Sequence, residues 1–282
     1  EAIQQTLSGQ NSAGGRIVAT ISRNGDLVHK MYVKTTFSTL TDCGEKTISV
    51  SGRNEPDSGS YNYGTSLLKE VELEIGGQRI DRHYAAWLET WAELTEPNPA
   101  GKLAYNSGAN AWVATGATLY QKMTGSAGSL AGNAGAHTNL SIPLQFWFCR
   151  NPGLALPLIA LQYHEVKVNI QYATSNELGT AAFTAPELWA DYIYLDTDER
   201  RRFAQVSHEY LIEQVQRNIT SNQSGSIELT FNHPVKELIW IGTPSSSNIS
   251  TPLSIVKLDE AYTLEMRLSL NGHDRFEKRN AL

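Results

Sequence analysis

Cysteine is scarce in this chain of 282 residues. Cys43 and Cys149 are its two cysteines, too few for a disulfide framework, so a reducing compartment is the simpler assumption, although one bridge between them stays open. Long apolar runs are also lacking. No stretch approaches the ~18 apolar residues that span a bilayer, and no charged-then-apolar leader opens the sequence. We therefore expect a soluble protein.

Basic residues are outnumbered, with 23 Lys and Arg against 29 Asp and Glu and a formal charge of −6. Nucleic-acid binding is driven largely by Lys and Arg that neutralise phosphates. We therefore expect no direct contact with nucleic acid.

Motifs for catalysis, cofactors and metals are missing as well. The sequence has no HExxH, GxSxG or GxxxxGK[ST] motif and no GxGxxG after a strand, and its seven histidines are scattered. His164 and Glu165 are neighbours on a predicted strand, where they would point to opposite faces. Asp196, Asp198 and Glu199 could ligate Ca²⁺, but a solvated charge run is the better interpretation. The sequence predicts a non-enzyme without metal or cofactor.

The residues that are plentiful favour β structure. Twelve Tyr, six Trp and seven Phe accompany many Thr and Val, with clusters of Gly and Ser between them. A compact chain of this length removes roughly 75% of its extended surface from water, enough for one or two cores. We expect a mostly β protein.

The prediction of strands starts from the central stretch 140–172. Apolar residues fill both parities from Ile142 to Phe148, which indicates a strand covered on both faces. Arg150–Gly153 is turn chemistry, and 158–170 reads as a half-exposed strand interrupted by polar residues. The predicted structural core comprises Trp87, Trp91, Phe146, Phe148, Pro152 and Pro157.

The flanking sequence alternates between strand and turn signals. Asn24-Gly25 between alternating runs predicts a hairpin, and Val71–Ile75 predicts a strand that Gly76-Gly77 ends. Asp81 is a plausible N-cap for a helix at 81–94 whose aromatic stripe is typical of core packing.

Two further segments complete the first part of the chain. Residues 101–137, rich in Gly, Ala, Asn, Ser and Thr, predict a long exposed loop. Residues 188–195 predict a strand.

The charged run from Asp196 to Arg202 predicts a connector between domains. After it, strands are predicted at 210–216, 226–231, 235–241 and 261–270, at a spacing typical of a sandwich or barrel. We expect one domain at 1–199 and a second beginning at 200–282.

Four collinear segments carry a resemblance to a known family. They are PLQFWFCRNPGLALPLIALQYHEVKVNI (143–170), VELEIGGQRIDRHYAAWLETWAELT (71–95), TISRNGDLVHKMYV (20–33) and NGHDRF (271–276). They resemble the major capsid proteins of nucleocytoplasmic large DNA viruses, the group that includes iridoviruses and phycodnaviruses. The resemblance implies a tandem double jelly roll, with the first jelly roll nearly complete here and the second only begun. We expect this sequence to be part of a longer product.

The same resemblance implies a structural role in the virion. Copies would form pseudo-hexagonal homotrimers that tile an icosahedral shell over an inner membrane, beside neighbouring capsomers and penton and minor capsid proteins, after assembly in the host cytoplasm. Residues 101–137 and 245–252 would be outward or inter-subunit loops, and the 81–94 helix would brace one sandwich.

Two other classes stay open. A lectin-like or glycan-processing β-sandwich is the main alternative, because Trp112 and Tyr120 could stack on a sugar ring. A receptor-binding spike would need a patch that the sequence does not define. Glycosylation candidates are the sequons at Asn139, Asn218, Asn222 and Asn248.

Overall fold

The computed structural model describes residues 1–37, 48–50, 53–55, 63–96, 103–106, 111–114, 119–124, 139–175, 183–219, 227–240 and 265–280. The strands in these ranges are β1 Ala2–Gln4, β2 Leu7–Gly9, β3 Arg16–Thr20, β4 Leu27–Thr36, β5 Ile48–Val50, β6 Arg53–Glu55, β7 Leu68–Ile75, β8 Gln78–Tyr84, β9 Leu103–Asn106, β10 Ala111–Ala114, β11 Asn139–Pro143, β12 Leu156–Pro157, β13 Val166–Tyr172, β14 Glu187–Ile193, β15 Glu265–Met266, β16 Ser269–Leu270, β17 His273–Asp274 and β18 Arg279–Asn280. The helices are α1 Tyr63–Leu67, α2 Ala85–Thr95, α3 Leu119–Thr124, α4 Trp147–Arg150 and α5 Thr197–Gln205, with a 3₁₀ turn at Pro152–Leu154.

Two antiparallel sheets form a sandwich. The first sheet has the order β1-β14-β4-β11, with β12 also pairing β4, and the second has the order β2-β3-β13-β7-β8. From β3 onward the chain passes repeatedly from one sheet to the other, to β4, back to β7 and β8, on to β11 and β12, then to β13 and finally to β14. This connectivity is that of a jelly roll, in which most of the long strands pair with strands that are distant in sequence, as β13 does with β3 and β7 and β4 does with β11 and β14.

The core lies between the two sheets. In the second sheet Val168 pairs with Leu73 and Ile170 pairs with Val71, so the alternating apolar residues of β7 and β13 face the same side. Each such side chain stabilises the fold by about 1.5–3 kcal/mol relative to leaving it in water. The largest fully buried side chains include Phe37, Phe146, Phe148, Tyr172, Met31 and Leu88.

Because neighbouring strands are antiparallel, the connections between strands lie at the two ends of the sandwich. At one end, which we call the long-loop end, β2 stops and β3 starts, β4 stops and β7 starts, β8 stops and β11 starts, and β13 stops and β14 starts. The shorter connections 21–26, 76–77 and 144–165 lie at the other end, where the chain also leaves β14 for α5.

The central stretch differs from its prediction. The predicted strand through Phe148 is wrong, because β11 ends at Pro143 and Trp147–Arg150 forms a helical turn. An apolar run of both parities is equally compatible with a helical segment buried all round, and Trp147, Phe148 and Cys149 of α4 are all buried. The strand predicted at 158–170 begins only at Val166, because residues 158–164 form a series of turns.

The hairpin predicted at Asn24-Gly25 is also wrong. β3 and β4, on either side of it, belong to different sheets, so the turn carries the chain across the sandwich. A turn motif reports local backbone geometry but not which partner each strand will find. Gly25 is required there because a Cβ would lie 2.8 Å from Cβ of Tyr192.

The predicted helix at 81–94 starts late, because α2 begins at Ala85 and Asp81 lies in β8. The long-loop prediction for 101–137 is also incomplete, since this segment contains the β9–β10 hairpin and α3.

The charged connector contains a helix. Asp196 caps the N-terminus of α5 by accepting a hydrogen bond from Thr197 N at 2.7 Å, and the predicted boundary at 199 falls inside this helix. Of the strands predicted after it, 210–216 and the described parts of 226–231 and 235–241 are not strands. Residues 265–274 contain the hairpin β16–β17, whose turn residues Asn271 and Gly272 have φ of 51° and 78°.

Candidate functional site

The segment after α5 docks on the first sandwich. Gln214 Nε2 donates to Ile80 O at 2.5 Å, and Val215 N donates to Asp81 Oδ1 at 3.0 Å. The Arg217 guanidinium lies 4.5 Å from the ring centre of Tyr84. Gln214, Val215 and Arg217 contact Ile80, Asp81 and Tyr84 in the same sequence order, so the segment runs parallel to the edge strand β8. We call this contact, residues 206–217 with the parts of β8 and α4 that they touch, the docking seam.

A β-bulge prepares β8 for this contact. Leu73 pairs with Asp81 and Glu74 pairs with Arg79, so Ile80 is an extra residue without a partner in β7. The carbonyl of Ile80 accepts the hydrogen bond from Gln214 instead. Because an open edge strand invites pairing with other chains, the bulge and the docked segment together close that edge.

A buried acid–histidine pair lies beneath the docking seam. His83 Nε2 is 2.8 Å from Asp81 Oδ2, and the two side chains are 2% and 1% exposed. Asp81 Oδ1 accepts hydrogen bonds from Arg82 N and Val215 N, while the His83 ring stacks on Phe146 at 4.7 Å. A substrate cannot reach groups this deeply buried, so the pair is a structural connection rather than a catalytic base.

Charged groups fasten the solvent side of the docking seam. Arg150 lies over Trp91 at 4.8 Å and its Nη2 is 2.9 Å from Glu213 Oε2. Lys236 donates a hydrogen bond to Glu213 Oε1. The hydrogen bond from Lys236, aided by Arg150, outweighs partial burial and holds the pKa of the Glu213 carboxyl below its usual value.

A second connection fixes α5 to the short-connection end. Asp26 Oδ2 accepts hydrogen bonds from Leu195 N at 2.8 Å and from Arg200 Nη2 at 2.9 Å. Burial alone would raise the pKa of Asp26, but the Arg200 and Leu195 hydrogen bonds and the Arg200 charge outweigh it and lower that pKa. The ionised form of Asp26 is therefore the one that holds α5.

A cleft of about 310 Å³ opens beside the docking seam. His208 stands at it with its ring stacked on Phe203 at 4.7 Å and Nε2 3.0 Å from Phe203 O. The rest of the lining is mainly apolar and includes Ile75, Trp147, Leu156 and Ile212. Its side chains do not converge into a reactive set.

The outward face of the second sheet carries a network of charges. Glu72 is buried beneath Arg16, whose Nη2 is 2.8 Å from Glu72 Oε2, and Arg82, whose Nε donates to Glu72 Oε1 at 2.7 Å. Arg79 lies farther out at 3.5 Å. Burial would raise the pKa of Glu72, but Arg82 first, then Arg16 and Arg79, lower it. Three arginines thus keep one buried carboxylate ionised.

The predicted core residues occupy different environments. Phe146, Phe148 and Pro157 are buried, and Trp87 and Trp91 are half-buried and stack at 5.3 Å. The prediction that Pro152 belongs to the core is wrong: its side chain is exposed, because it starts a surface 3₁₀ turn.

The predicted glycan and metal residues lie apart from the docking seam. Asn139 and Asn218 are exposed and hydrogen-bonded to Thr36 Oγ1 and Glu228 O, while Asn222 and Asn248 lie outside the described residues. Asp196 is a helix cap, and no group of His, Cys, Asp or Glu side chains in the described ranges could hold a metal ion. No helix in those ranges is long and apolar enough to cross a membrane.

The sugar-stacking hypothesis is weakened by Tyr120. This side chain is 2% exposed and 3.3 Å from Thr65 Oγ1, so it cannot stack on a ligand. Burial raises its pKa, with a smaller contribution from Glu89. The side chain of Trp112 lies outside the parts of the chain that the structure describes.

Sequence reasoning missed the Asp81–His83 pair. The signal was their spacing of two residues, which places both side chains on one face of a strand. The helix prediction at 81–94 concealed it.

Comparison with known proteins gives consistent matches along the chain. Residues 1–196 match the family model of the major capsid protein N-terminus, and residues 199–281 match that of the large eukaryotic DNA virus major capsid protein. The major capsid protein of Pyramimonas orientalis virus is 46% identical, over 99% of this chain and 63% of that protein. That of Paramecium bursaria Chlorella virus 1 is 35% identical, over 99% of this chain and 66% of that protein.

A solved structure agrees with these relatives. The quasi-atomic model of the PBCV-1 virus capsid matches with a TM-score of 0.67 and 32% identity, covering 99% of this chain and 70% of that chain. The chain spans less than two thirds of the length of the relatives named above.

Proposed function

The chain belongs to the family of major capsid proteins of large eukaryotic DNA viruses, and from this premise we propose that the protein builds the shell of an icosahedral virion. The observation that carries the proposal is the match to the PBCV-1 capsid, which extends over 99% of this chain at 32% identity. The same match confirms the predicted fold class, a mostly β double jelly roll.

The mechanism we propose is mechanical. Two sheets that interdigitate around a core ~10 Å thick resist bending, and the docking seam ties the following part of the chain to that sandwich. Asp81, buried under the seam, accepts a hydrogen bond from Val215, and Glu213 bridges Arg150 and Lys236. A stiff unit transmits load between its neighbours instead of deforming, which is what a shell requires.

The assembly we propose is a homotrimer with a pseudo-hexagonal outline, packed against neighbouring capsomers. Contacts with penton and minor capsid proteins, an inner membrane beneath the shell and assembly in the host cytoplasm belong to the same proposal. The domain division at 199/200 also stays a prediction, supported by family models that end at 196 and begin at 199.

The loops remain part of the proposal. β8 ends and β11 begins at the long-loop end, and residues 101–137 belong to the part of the chain that connects them, which suits the outward or inter-subunit position that we propose for this loop. The second predicted loop, 245–252, lies outside the described residues. We propose that α2, which packs through Leu88 and Ala92, braces the sandwich as predicted for the 81–94 helix.

We infer that the protein is not an enzyme. Support comes from the deep burial of the Asp81–His83 pair and from the apolar lining of the cleft beside the docking seam. The relatives with which the chain aligns are capsid proteins.

Electron microscopy of the purified full-length protein tests the proposal. We expect particles with a threefold axis and a pseudo-hexagonal outline. A glycan array and a glycoside-hydrolase screen on the same preparation test the lectin-like alternative. We expect both to be negative; specific glycan binding by particles without threefold symmetry would contradict the shell proposal.

A further inference from the structure

Two carboxylates join the first sandwich to residues 196–217, which we call the linking segment. On the sandwich, Asp26 Oδ2 is 2.9 Å from Arg200 Nη2 of α5, and the Arg200 side chain is 53% exposed. On the linking segment, Glu213 Oε2 is 2.9 Å from Arg150 Nη2 of α4, and the Glu213 side chain is 40% exposed. Each ion pair therefore connects the two parts of the chain at a place that water and protons reach.

The rest of this junction is loosely packed. Both hydrogen bonds between the linking segment and β8 use a side chain, that of Gln214 in one and that of Asp81 in the other. The cleft of about 310 Å³ lies between the two parts, with Phe203 and Ile212 on one side and Trp147 on the other. Because protein interiors are normally packed without such voids, apolar contact across the junction is incomplete. The ion pairs therefore contribute a larger share of the attachment.

The partners of Asp26 favour its ionised form. Arg200 and Leu195 N–H donate hydrogen bonds to it, and Tyr194, which also interacts with the Asp26 charge, is neutral in acid. Burial opposes ionisation, but the two hydrogen bonds and the Arg200 charge outweigh burial and lower the pKa of Asp26. The contact with α5 is therefore complete above the ordinary Asp pKa of about 3.9 and is lost as pH falls through the lower folded value.

Glu213 responds to acid in the same direction. It faces Lys236 from later in the chain and Arg150 from α4. The Lys236 hydrogen bond, aided by Arg150, outweighs partial burial and lowers the pKa of Glu213 below the ordinary Glu value of about 4.3. The stabilising effect of this contact is likewise present above that value and is lost as pH falls through the lower folded one. Acid thus removes both ion pairs in nearly the same pH range.

We propose that the junction between the first sandwich and the linking segment is a conformational switch that opens in acid, below about pH 4, while the two sheets stay folded. The sheets are held by strand pairing around an apolar core, with β13 paired on both sides by β3 and β7. Val215 N–H, which donates to Asp81 in the closed junction, becomes free to exchange when the junction opens. Opening lets the two parts of the chain move relative to each other without unfolding the first.

Hydrogen–deuterium exchange of the full-length protein tests this proposal, with the protection of each peptide expressed relative to its intrinsic exchange rate at the same pH. From about pH 6 to about pH 3 we expect protection within residues 206–217 to fall at least about threefold, while protection of β13 stays constant. In the double variant Asp26→Asn, Glu213→Gln, protection within 206–217 should already be low at about pH 6 and should change little on acidification.

Glu165→Gln is the matched control. Glu165 forms an exposed ion pair of 2.9 Å with Lys167, but both residues belong to the first sandwich, so this variant should follow the pH profile of the parent. Protection within 206–217 that does not fall in acid, or that falls only together with that of β13, would overturn the proposal. A double variant that keeps the parent's pH profile would overturn it as well.

Discussion

Val215 donates its backbone N–H to the Oδ1 atom of Asp81, 134 residues earlier in the chain. This hydrogen bond joins the edge strand of the first sandwich to the segment that follows α5. The other carboxylate oxygen of Asp81 faces His83, so one buried side chain links the docking seam to the aromatic residues beneath it.

Replacement of Asp81 should loosen this link. In Asp81→Ala, the backbone N–H groups of Arg82 and Val215 lose the carboxylate oxygen that accepts their hydrogen bonds, and we expect the free energy of unfolding to fall by about 1–3 kcal/mol. Urea unfolding measures the loss, and limited proteolysis should show faster cleavage within residues 206–217.

Two controls bound this result. Asp81→Asn keeps an oxygen for Val215 and should cost less than Asp81→Ala. Glu165→Ala removes an exposed partner of Lys167 and should change stability by less than about 0.5 kcal/mol. An Asp81→Ala protein as stable as this control would contradict the role given to Asp81.

Acid should release α5. The pKa of Asp26 is lowered in the folded protein, so its stabilising effect is complete above the ordinary carboxyl pKa of about 3.9 and is lost as pH falls through the lower folded value. Urea midpoints measured from pH 7 to pH 2.5 should therefore decline below about pH 4. In Asp26→Asn the decline should be shallower, and an identical pH profile would argue against this assignment.

The charge network on the second sheet gives a separate test. Glu72→Gln removes the buried carboxylate of this network, leaving Arg82 only its ion pair with Glu70 at 3.2 Å, and we expect the free energy of unfolding measured in urea to fall by about 1–3 kcal/mol. Glu74→Gln is the matched control, because Glu74 makes one long contact of 3.4 Å with Asn169. Equal effects of the two substitutions would show that the arginines do not depend on Glu72.

Core packing around α4 is tested by Phe148. The centre of this fully buried ring lies 5.8 Å from the ring centre of Phe146 and 5.3 Å from that of Trp147. Phe148→Ala should therefore open a cavity and lower the free energy of unfolding by about 3–5 kcal/mol. Leu94→Ala, at an exposed position of α2, should be nearly neutral. If Phe148→Ala proved equally mild, α4 would not be part of the core.

The sequence predicted those parts of the fold in which local pattern and tertiary partner agree. Alternation in Val71–Ile75 followed by Gly76-Gly77 located β7 and its turn, and the run 188–195 located β14. Where several tertiary environments suit one pattern, prediction failed. The apolar run at Trp147–Arg150 became a helical turn because burial on all sides satisfies either geometry.

The docking seam could not be predicted because its residues are far apart in sequence. Asp is a residue type that often caps helices, which is why a helix was predicted to start at Asp81. In the structure Asp81 lies beside a bulge in β8, where its buried side chain accepts a hydrogen bond from Val215 N. Likewise, Tyr32 and Trp189 become neighbours only through the strand order β4-β14. The family resemblance supplied the architecture but not these contacts.

Sedimentation equilibrium of the purified full-length protein over a wide concentration range tests the proposed self-association. We expect a species of three times the monomer mass that persists on dilution. A protein of monomer mass at every concentration would contradict it.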